Sequence, residues 1–139
     1  MSSRAVLLPT ILLAICGCSR SDPPRNPQIV LNREAVDFGT SAALGTYVGT
    51  SRSDSLDIKN GGIQDMVVNS ISVSGDSVFT YTTSQPLPYT VPGLQHLFVT
   101  FYFAPTAAQA YSASAMILST ASNAPMKTVS LSGQGVAPP

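Results

Sequence analysis

One stretch of nine residues constrains the fold of this chain more than any other. Residues 97–105 read LFVTFYFAP, and β-branched or aromatic residues fill most of this run. Such side chains favour extended backbone because they pack well on a pleated surface. On a two-residue period they form two sets, of which one is Leu97, Val99, Phe101 and Phe103 and the other is Phe98, Thr100 and Tyr102. Both sets are largely apolar, so the run predicts a strand that lies at the centre of its sheet or under a covering loop.

Shorter strand-like segments recur about every ten residues on both sides of this run, a spacing typical of a sandwich or barrel. They are residues 28–32, 35–39, 46–50, 56–59, 66–73, 78–82, 89–91, 111–118 and 128–132. Eleven prolines and ten glycines separate the short apolar runs. We expect Val67, Ile71 and Val73 to share one face of their strand, and Asn60-Gly61-Gly62 to supply positive φ angles for a tight turn. The sequence therefore predicts an all-β fold.

The first seventeen residues are predicted to be a lipoprotein signal peptide. Arg4 supplies a positive charge, and residues 5–15 form an apolar segment that is shorter than the ~20 residues needed to span a bilayer. The sequence Ile15-Cys16-Gly17-Cys18 resembles a bacterial lipobox, in which Cys18 receives the diacylglyceryl group. Modification at Cys16 and ordinary cleavage without lipid are the alternatives. A disulfide between residues two apart is strained, and metal binding lacks further ligands nearby.

We divide the chain into a signal peptide (1–17), an anchor and tether (18–27), an immunoglobulin-like domain (28–136) and a tail (137–139). Three prolines favour an extended, semi-rigid tether, which we expect to hold the domain clear of the membrane. The mature chain from Cys18 to Pro139 has 122 residues, enough for a core without disulfides. We expect an exported protein, held by lipid at the outer membrane because Ser19 follows Cys18.

Charge argues against nucleic acid as a partner. The chain has seven basic and seven acidic residues, and cleavage before Cys18 removes one basic residue, Arg4. A nearly neutral domain has no basic face with which to displace counterions from a phosphate backbone.

Candidate catalytic residues are few. His96 is the only histidine, and the sequence places no second ligand or nucleophile beside it. No Gly-x-Ser-x-Gly elbow is present, and the Gly133-x-Gly135 pair closes a strand instead of opening a helix. We therefore predict no catalytic residue, no metal site and no cofactor.

Two sets of residues are candidates for ligand binding. Ordinary roles at the surface or in the core also account for their presence. Five aspartates are candidate calcium ligands, although no dense Asp-x-Asp-x-Asp-Gly run is present: Asp37, Asp54, Asp57, Asp65 and Asp76. Four tyrosines are candidates for stacking on sugar rings, with packing at the core or a strand edge as the simpler interpretation: Tyr81, Tyr89, Tyr102 and Tyr111.

The order of several motifs resembles the ASPM-SPD-2-Hydin (ASH) class of immunoglobulin-like domains, and the related bacterial domains called choice-of-anchor D. The motifs are VDFG (36–39), LDIKNGG (56–62), VTFYFAP (99–105), YSASAMILS (111–119), NAP (123–125) and VSLSGQG (129–135). The resemblance covers about residues 28–136. It implies a sandwich of about seven antiparallel strands that serves as a binding, spacer or scaffold module and has no shared active site.

The leading functional hypothesis is a non-catalytic, lipid-anchored module of the cell envelope that binds a protein partner or serves as a scaffold. Exposed strand edges and the loops 60–65 and 85–93 are the surfaces we expect a partner to use. The alternative is a carbohydrate or cell-wall ligand recognised by the tyrosines. A secreted hydrolase or a metal-binding protein is the third hypothesis.

Overall fold

A computed structural model describes Gly17 and residues 20–139. Over this part of the chain it contains ten strands and no helix, and each predicted strand-like segment overlaps one strand. The strands are β1 (Ile29–Leu31), β2 (Ala35–Asp37), β3 (Thr46–Tyr47), β4 (Arg52–Asn60), β5 (Met66–Gly75), β6 (Phe79–Thr83), β7 (Tyr89–Val91), β8 (His96–Phe103), β9 (Ala110–Ser119) and β10 (Met126–Val136).

The strands form the two sheets of a sandwich, which confirms the predicted fold class. One sheet has the order β1-β4-β8-β6, and the other has the order β2-β10-β9-β5-β7, with β3 also paired to β10. The strand count exceeds seven because β1, β2, β3 and β7 are separate strands of only two or three residues. Both β2 and β3 run parallel to β10 and pair with successive parts of its edge, so the second sheet is mixed.

Strand β8 lies between β4 and β6, as its apolar character predicts. Its four inward side chains are fully buried: Leu97, Val99, Phe101 and Phe103. Phe103 stacks on Phe38 and Phe79 with ring centroids 5.6 and 5.0 Å apart. Gly133 of β10 faces this ring, and a Cβ at that position would lie 2.7 Å from it. The two sheets therefore meet closely at this aromatic cluster.

The predicted face of β5 is wrong at Val67. The pairing with β9 shifts register between Val68 and Ser70, so one extra residue reverses the alternation of side chains. Met66 and Val68 are buried before this bulge and Ile71 after it, whereas Val67 is only partly buried.

The predicted turn at Asn60-Gly61-Gly62 is also different. Asn60 is the last residue of β4 and is fully buried. Among the described residues, positive φ angles occur at Gly39, Gly49, Gly75 and Leu94, and not at Gly61 or Gly62. Hydrogen bonds of the Asn60 side chain, described below, shape this loop instead.

Different loops lie at the two ends of the sandwich. The end that receives the residues preceding β1, here called the tether end, carries the loops 61–65, 92–95 and 120–125. The opposite end, here called the distal end, carries the short strand β3, the loops 38–45, 48–51 and 104–109, and the residues after β10. In the described part of the chain, no helix has the length and apolar character required to cross a membrane.

Candidate binding surfaces

The outer face of the β1-β4-β8-β6 sheet is an open surface with an aromatic residue at its centre. Phe98 points outward from the middle of β8 and is 50% exposed, opposite Asp57 of β4. We call this surface the Phe98 face; its main residues are Val30, Asp57, His96, Phe98, Thr100 and Tyr102. Phe98 and Val30, which is 47% exposed, are the large apolar side chains that this face presents to solvent.

His96 and Asp57 are the neighbours of the Phe98 ring on one side. The Nδ1 atom of His96 lies 2.8 and 2.9 Å from the two carboxylate oxygens of Asp57. The imidazole is also nearly parallel to the Phe98 ring, at 7° and a centroid distance of 6.1 Å. Within the described chain, Asp57 is the only side chain hydrogen-bonded to His96. The geometry indicates a histidine that supports an aromatic surface, with no nucleophile placed beside it.

Hydroxyl groups cover the rest of the Phe98 face. The hydroxyls of Ser55 and Thr100 are 3.3 Å apart, and those of Thr82 and Tyr102 are 3.4 Å apart. These pairs belong to directly opposed positions or close neighbours on adjacent strands. From Asp57 towards Tyr102 the surface therefore offers hydroxyl groups that can donate or accept hydrogen bonds, whereas Lys59, opposite both Val30 and His96, adds a positive charge on the other side of Asp57.

Strand β6 forms one edge of the same sheet. It pairs with β8 on one side and has no strand on the other in the described structure. With five residues it is longer than the other terminal strands of the two sheets, which have three residues each. A free edge of this length can receive an additional strand through backbone hydrogen bonds. Such a strand would lie beside the Phe98 face.

An open cleft at the distal end is a second candidate that the sequence did not reveal. Leu44 and Tyr47 are 68% and 50% exposed, and both line the cleft together with Arg52. The guanidinium group of Arg52 donates to the carbonyl oxygens of Leu44 and Phe38 at 3.0 and 3.4 Å. The loop thus folds around the guanidinium group of Arg52. Its only sequence signal is two large apolar residues within a segment of small and polar ones.

Arg33 and Asp54 connect the start of the domain to β4. Two guanidinium nitrogens donate to the two carboxylate oxygens, each at 2.8 Å. The hydrogen bond from Arg33 holds the pKa of Asp54 below its usual value, against a smaller opposing effect of burial. Because the pair is partly exposed, its role is to position chain segments more than to stabilise them strongly.

The structure does not gather the five aspartates. Asp54 and Asp57 belong to the pairs described above, and Asp37 and Asp76 accept backbone N–H groups of Gly39 and Ser112. Residues 20–139 contain no group of three or more acidic, histidine or cysteine side chains placed to hold a metal ion.

The four tyrosines also lie apart. Tyr81 and Tyr89 pack against the core from the side, and the Tyr81 hydroxyl donates to the Ile71 carbonyl at 2.6 Å. Tyr111 is buried, and its hydroxyl accepts the Ala107 N–H at 2.9 Å. Tyr102 alone of the four belongs to the Phe98 face. No aromatic platform for a sugar is formed by these residues together.

The two predicted binding loops, 60–65 and 85–93, meet at the tether end through Asn60. Its Oδ1 atom accepts the N–H groups of Gln28 and Gly62 at 3.2 and 3.0 Å. Its Nδ2 atom donates to the carbonyls of Gln64 and Val91 at 2.8 and 3.1 Å. One buried amide therefore connects β4, both loops and the residues before β1.

The predicted lipid-attachment residue, Cys18, lies outside the described residues, as do Cys16 and the rest of the signal peptide except Gly17. Both attachment and the division of the chain into peptide, tether, domain and tail therefore stay predictions.

Comparison with solved structures identifies the fold. The chain is similar to the ASH/PapD-like domain of human CEP192 (PapD-like domain 7), with a TM-score of 0.66, 15% identity, and coverage of 100% of this chain and 99% of that domain. It is also similar to a protein of unknown function from Porphyromonas gingivalis W83, with a TM-score of 0.64 and 13% identity. That match covers 81% of this chain and 49% of the other.

A third similar structure is the secreted serine protease VesC from Vibrio cholerae, with a TM-score of 0.53 and 13% identity. The match covers 78% of this chain but only 23% of VesC, so it concerns a minor part of that protein. No protein-family model and no curated protein sequence matches the chain. The chain has the ASH-type immunoglobulin-like fold that its motifs predict.

Proposed function

We propose that this protein is a non-catalytic binding module, anchored to the cell envelope through lipid on Cys18, that binds a protein partner at the Phe98 face. The observation that carries the proposal is the half-exposed Phe98 ring on the central strand, braced by the His96–Asp57 pair. Aromatic residues, phenylalanine included, are enriched in protein interfaces. The neighbouring β6 edge offers backbone groups to an extended segment of the partner.

A binding role agrees with the positions of the histidine and aspartate side chains, which lie apart from one another except in the His96–Asp57 pair. His96 is engaged by Asp57, and the aspartates are dispersed among backbone N–H groups and ion pairs. The ASH-type fold alone does not define a function. The interaction proposal therefore rests on the surface itself, and the anchor proposal rests on the lipobox-like sequence that ends at Cys18.

Site-specific photocrosslinking in intact cells tests the interaction. A photoreactive phenylalanine analogue at Thr80, which is exposed on β6 and lies opposite Tyr102, should capture one discrete protein. The Phe98→Lys substitution should abolish that product because a charge replaces the apolar anchor. Equal melting temperatures with and without the substitution would show that the fold is intact.

The matched control places the same analogue at Ser72, which is exposed on β5 in the other sheet. We expect no product from that position. The same product from both positions, or a Thr80 product that survives Phe98→Lys, would contradict the proposed surface.

A further inference from the structure

The tether end carries an exposed apolar tip made by two loops. Ile63 is 55% exposed and Leu94 is 45% exposed. Their loops are in direct contact, because the Leu94 N–H donates to the Gly62 carbonyl at 3.0 Å and a Cβ on Gly93 would collide with the Ile63 carbonyl oxygen. The two side chains therefore project from one small backbone platform.

Leu94 is an unfavourable residue for its backbone position. Its φ angle is 64°, in the left-handed region, within a turn in which the Gln95 N–H donates to the Pro92 carbonyl. A residue with a Cβ costs ~1–2 kcal/mol in this conformation, whereas glycine adopts it freely. The turn alone would favour glycine or asparagine, and an exposed leucine there contributes little to the core. Its side chain is better explained by a contact outside the domain.

The chain before the domain reaches this tip directly. The Pro24 and Arg25 carbonyls accept the N–H groups of Ile63 and Gln64, each at 3.0 Å. The part of the predicted tether from Pro24 onward is thus attached to the loop and cannot act as a spacer. Cys18 precedes Pro24 by six residues, which span at most about 22 Å when fully extended.

The opposite end is much farther from the anchor. Strand β10 has eleven residues, and a strand of this length extends about 36 Å from the tether end towards the distal end. An anchor at Cys18 therefore brings the Ile63–Leu94 tip close to the bilayer. The distal Leu44 and Tyr47 then point away from it.

Charges near the tip are balanced. Arg25 lines the groove beside Ile63, and the exposed Asp65 follows two residues later. The tip therefore has no excess of positive charge that would require anionic lipids. Its chemistry suits the neutral interfacial region of a bilayer.

We propose that Ile63 and Leu94 insert into the interfacial region of the bilayer that holds the Cys18 lipid, so that the domain stands upright with its distal end outward. This inference rests on the proposed lipid attachment. It assigns the tip a lipid surface as its partner and leaves the Phe98 face, on the side of the sandwich, free for a protein.

The test uses the lipidated protein, purified from membranes and reconstituted in phosphatidylcholine vesicles. In the mature chain Cys18 is blocked by its lipid, so an Ile63→Cys substitution introduces the only free thiol for an environment-sensitive dye. Leu44→Cys is the matched control, since Leu44 is an exposed apolar residue at the distal end. We expect blue-shifted emission and quenching by nitroxide-labelled lipids for the dye at position 63, and neither effect at position 44.

The Leu94→Gly substitution adds a second readout. It removes the apolar side chain and relieves the backbone strain, so it should reduce quenching at position 63 without lowering the melting temperature. Equal spectra at positions 63 and 44, or quenching confined to position 44, would overturn the insertion and leave the anchor proposal intact. A protein mass without lipid on Cys18 would overturn both proposals, so the two failures are distinguishable.

Discussion

Replacing Phe101 with alanine is expected to lower the free energy of unfolding by ~3–5 kcal/mol. Phe101 is fully buried on β8, and its ring lies 6.5 Å from that of Tyr81 on the neighbouring strand. The substitution removes a large apolar side chain and leaves a cavity that the two sheets cannot close without moving. Since domains are stable by only ~5–15 kcal/mol, the loss should leave a substantial fraction unfolded. Urea denaturation followed by circular dichroism measures the effect.

Phe98→Ala is the matched control for this experiment. It makes the same chemical change on the same strand, but the side chain is half-exposed and leaves no internal cavity. We expect a loss of no more than about 1 kcal/mol. Similar losses for the two variants would contradict the assignment of the inward and outward faces of β8.

Replacing Asn60 with aspartate should destabilise the domain by ~2–4 kcal/mol at neutral pH, despite the almost identical shape of the two side chains. The amide nitrogen that donates to the Gln64 and Val91 carbonyls becomes an oxygen, which faces those carbonyls in a fully buried site. Repulsion follows, and the buried Val91 carbonyl and the partly buried Gln64 carbonyl both lose their donor. Denaturation curves give the energy, and amide hydrogen exchange of residues 61–65 reports where the structure loosens.

Asn69→Asp controls for the change in net charge, because Asn69 is exposed at the bulge of β5. It should alter stability by less than about 0.5 kcal/mol. An Asn60→Asp variant as stable as this control would show that the buried amide does not hold the tether end together.

The sequence predicts the positions of the strands well because apolar side chains recur at every second residue within short runs. Strand β8 is the clearest case, since its four inward residues alternate without interruption and all four are buried. The face of Val67 was predicted wrongly because the bulge after Val68 depends on pairing with β9. The amino-acid composition of a strand does not reveal a register shift of one residue against its neighbour.

The candidate surfaces are harder to predict because they depend on which strands become neighbours. In the sequence, Phe98 belongs to one of two largely apolar faces of its strand. Only the arrangement of the sheets shows that this face is exposed to solvent. Asparagine is typical of turns, yet Asn60 is fully buried and makes two local and two long-range hydrogen bonds. Leu44 and Tyr47 form the distal cleft because β3 pairs in parallel with the end of β10, a contact between distant segments.

The measurement that tests the anchored-module proposal most directly is the intact mass of the mature protein extracted from membranes. We predict the mass of residues 18–139 plus a diacylglyceryl group, with or without one further acyl chain on the amino group of Cys18. A Cys18→Ser variant should lose this addition. An unmodified mass for a protein recovered in soluble form would contradict lipid anchoring and indicate ordinary secretion.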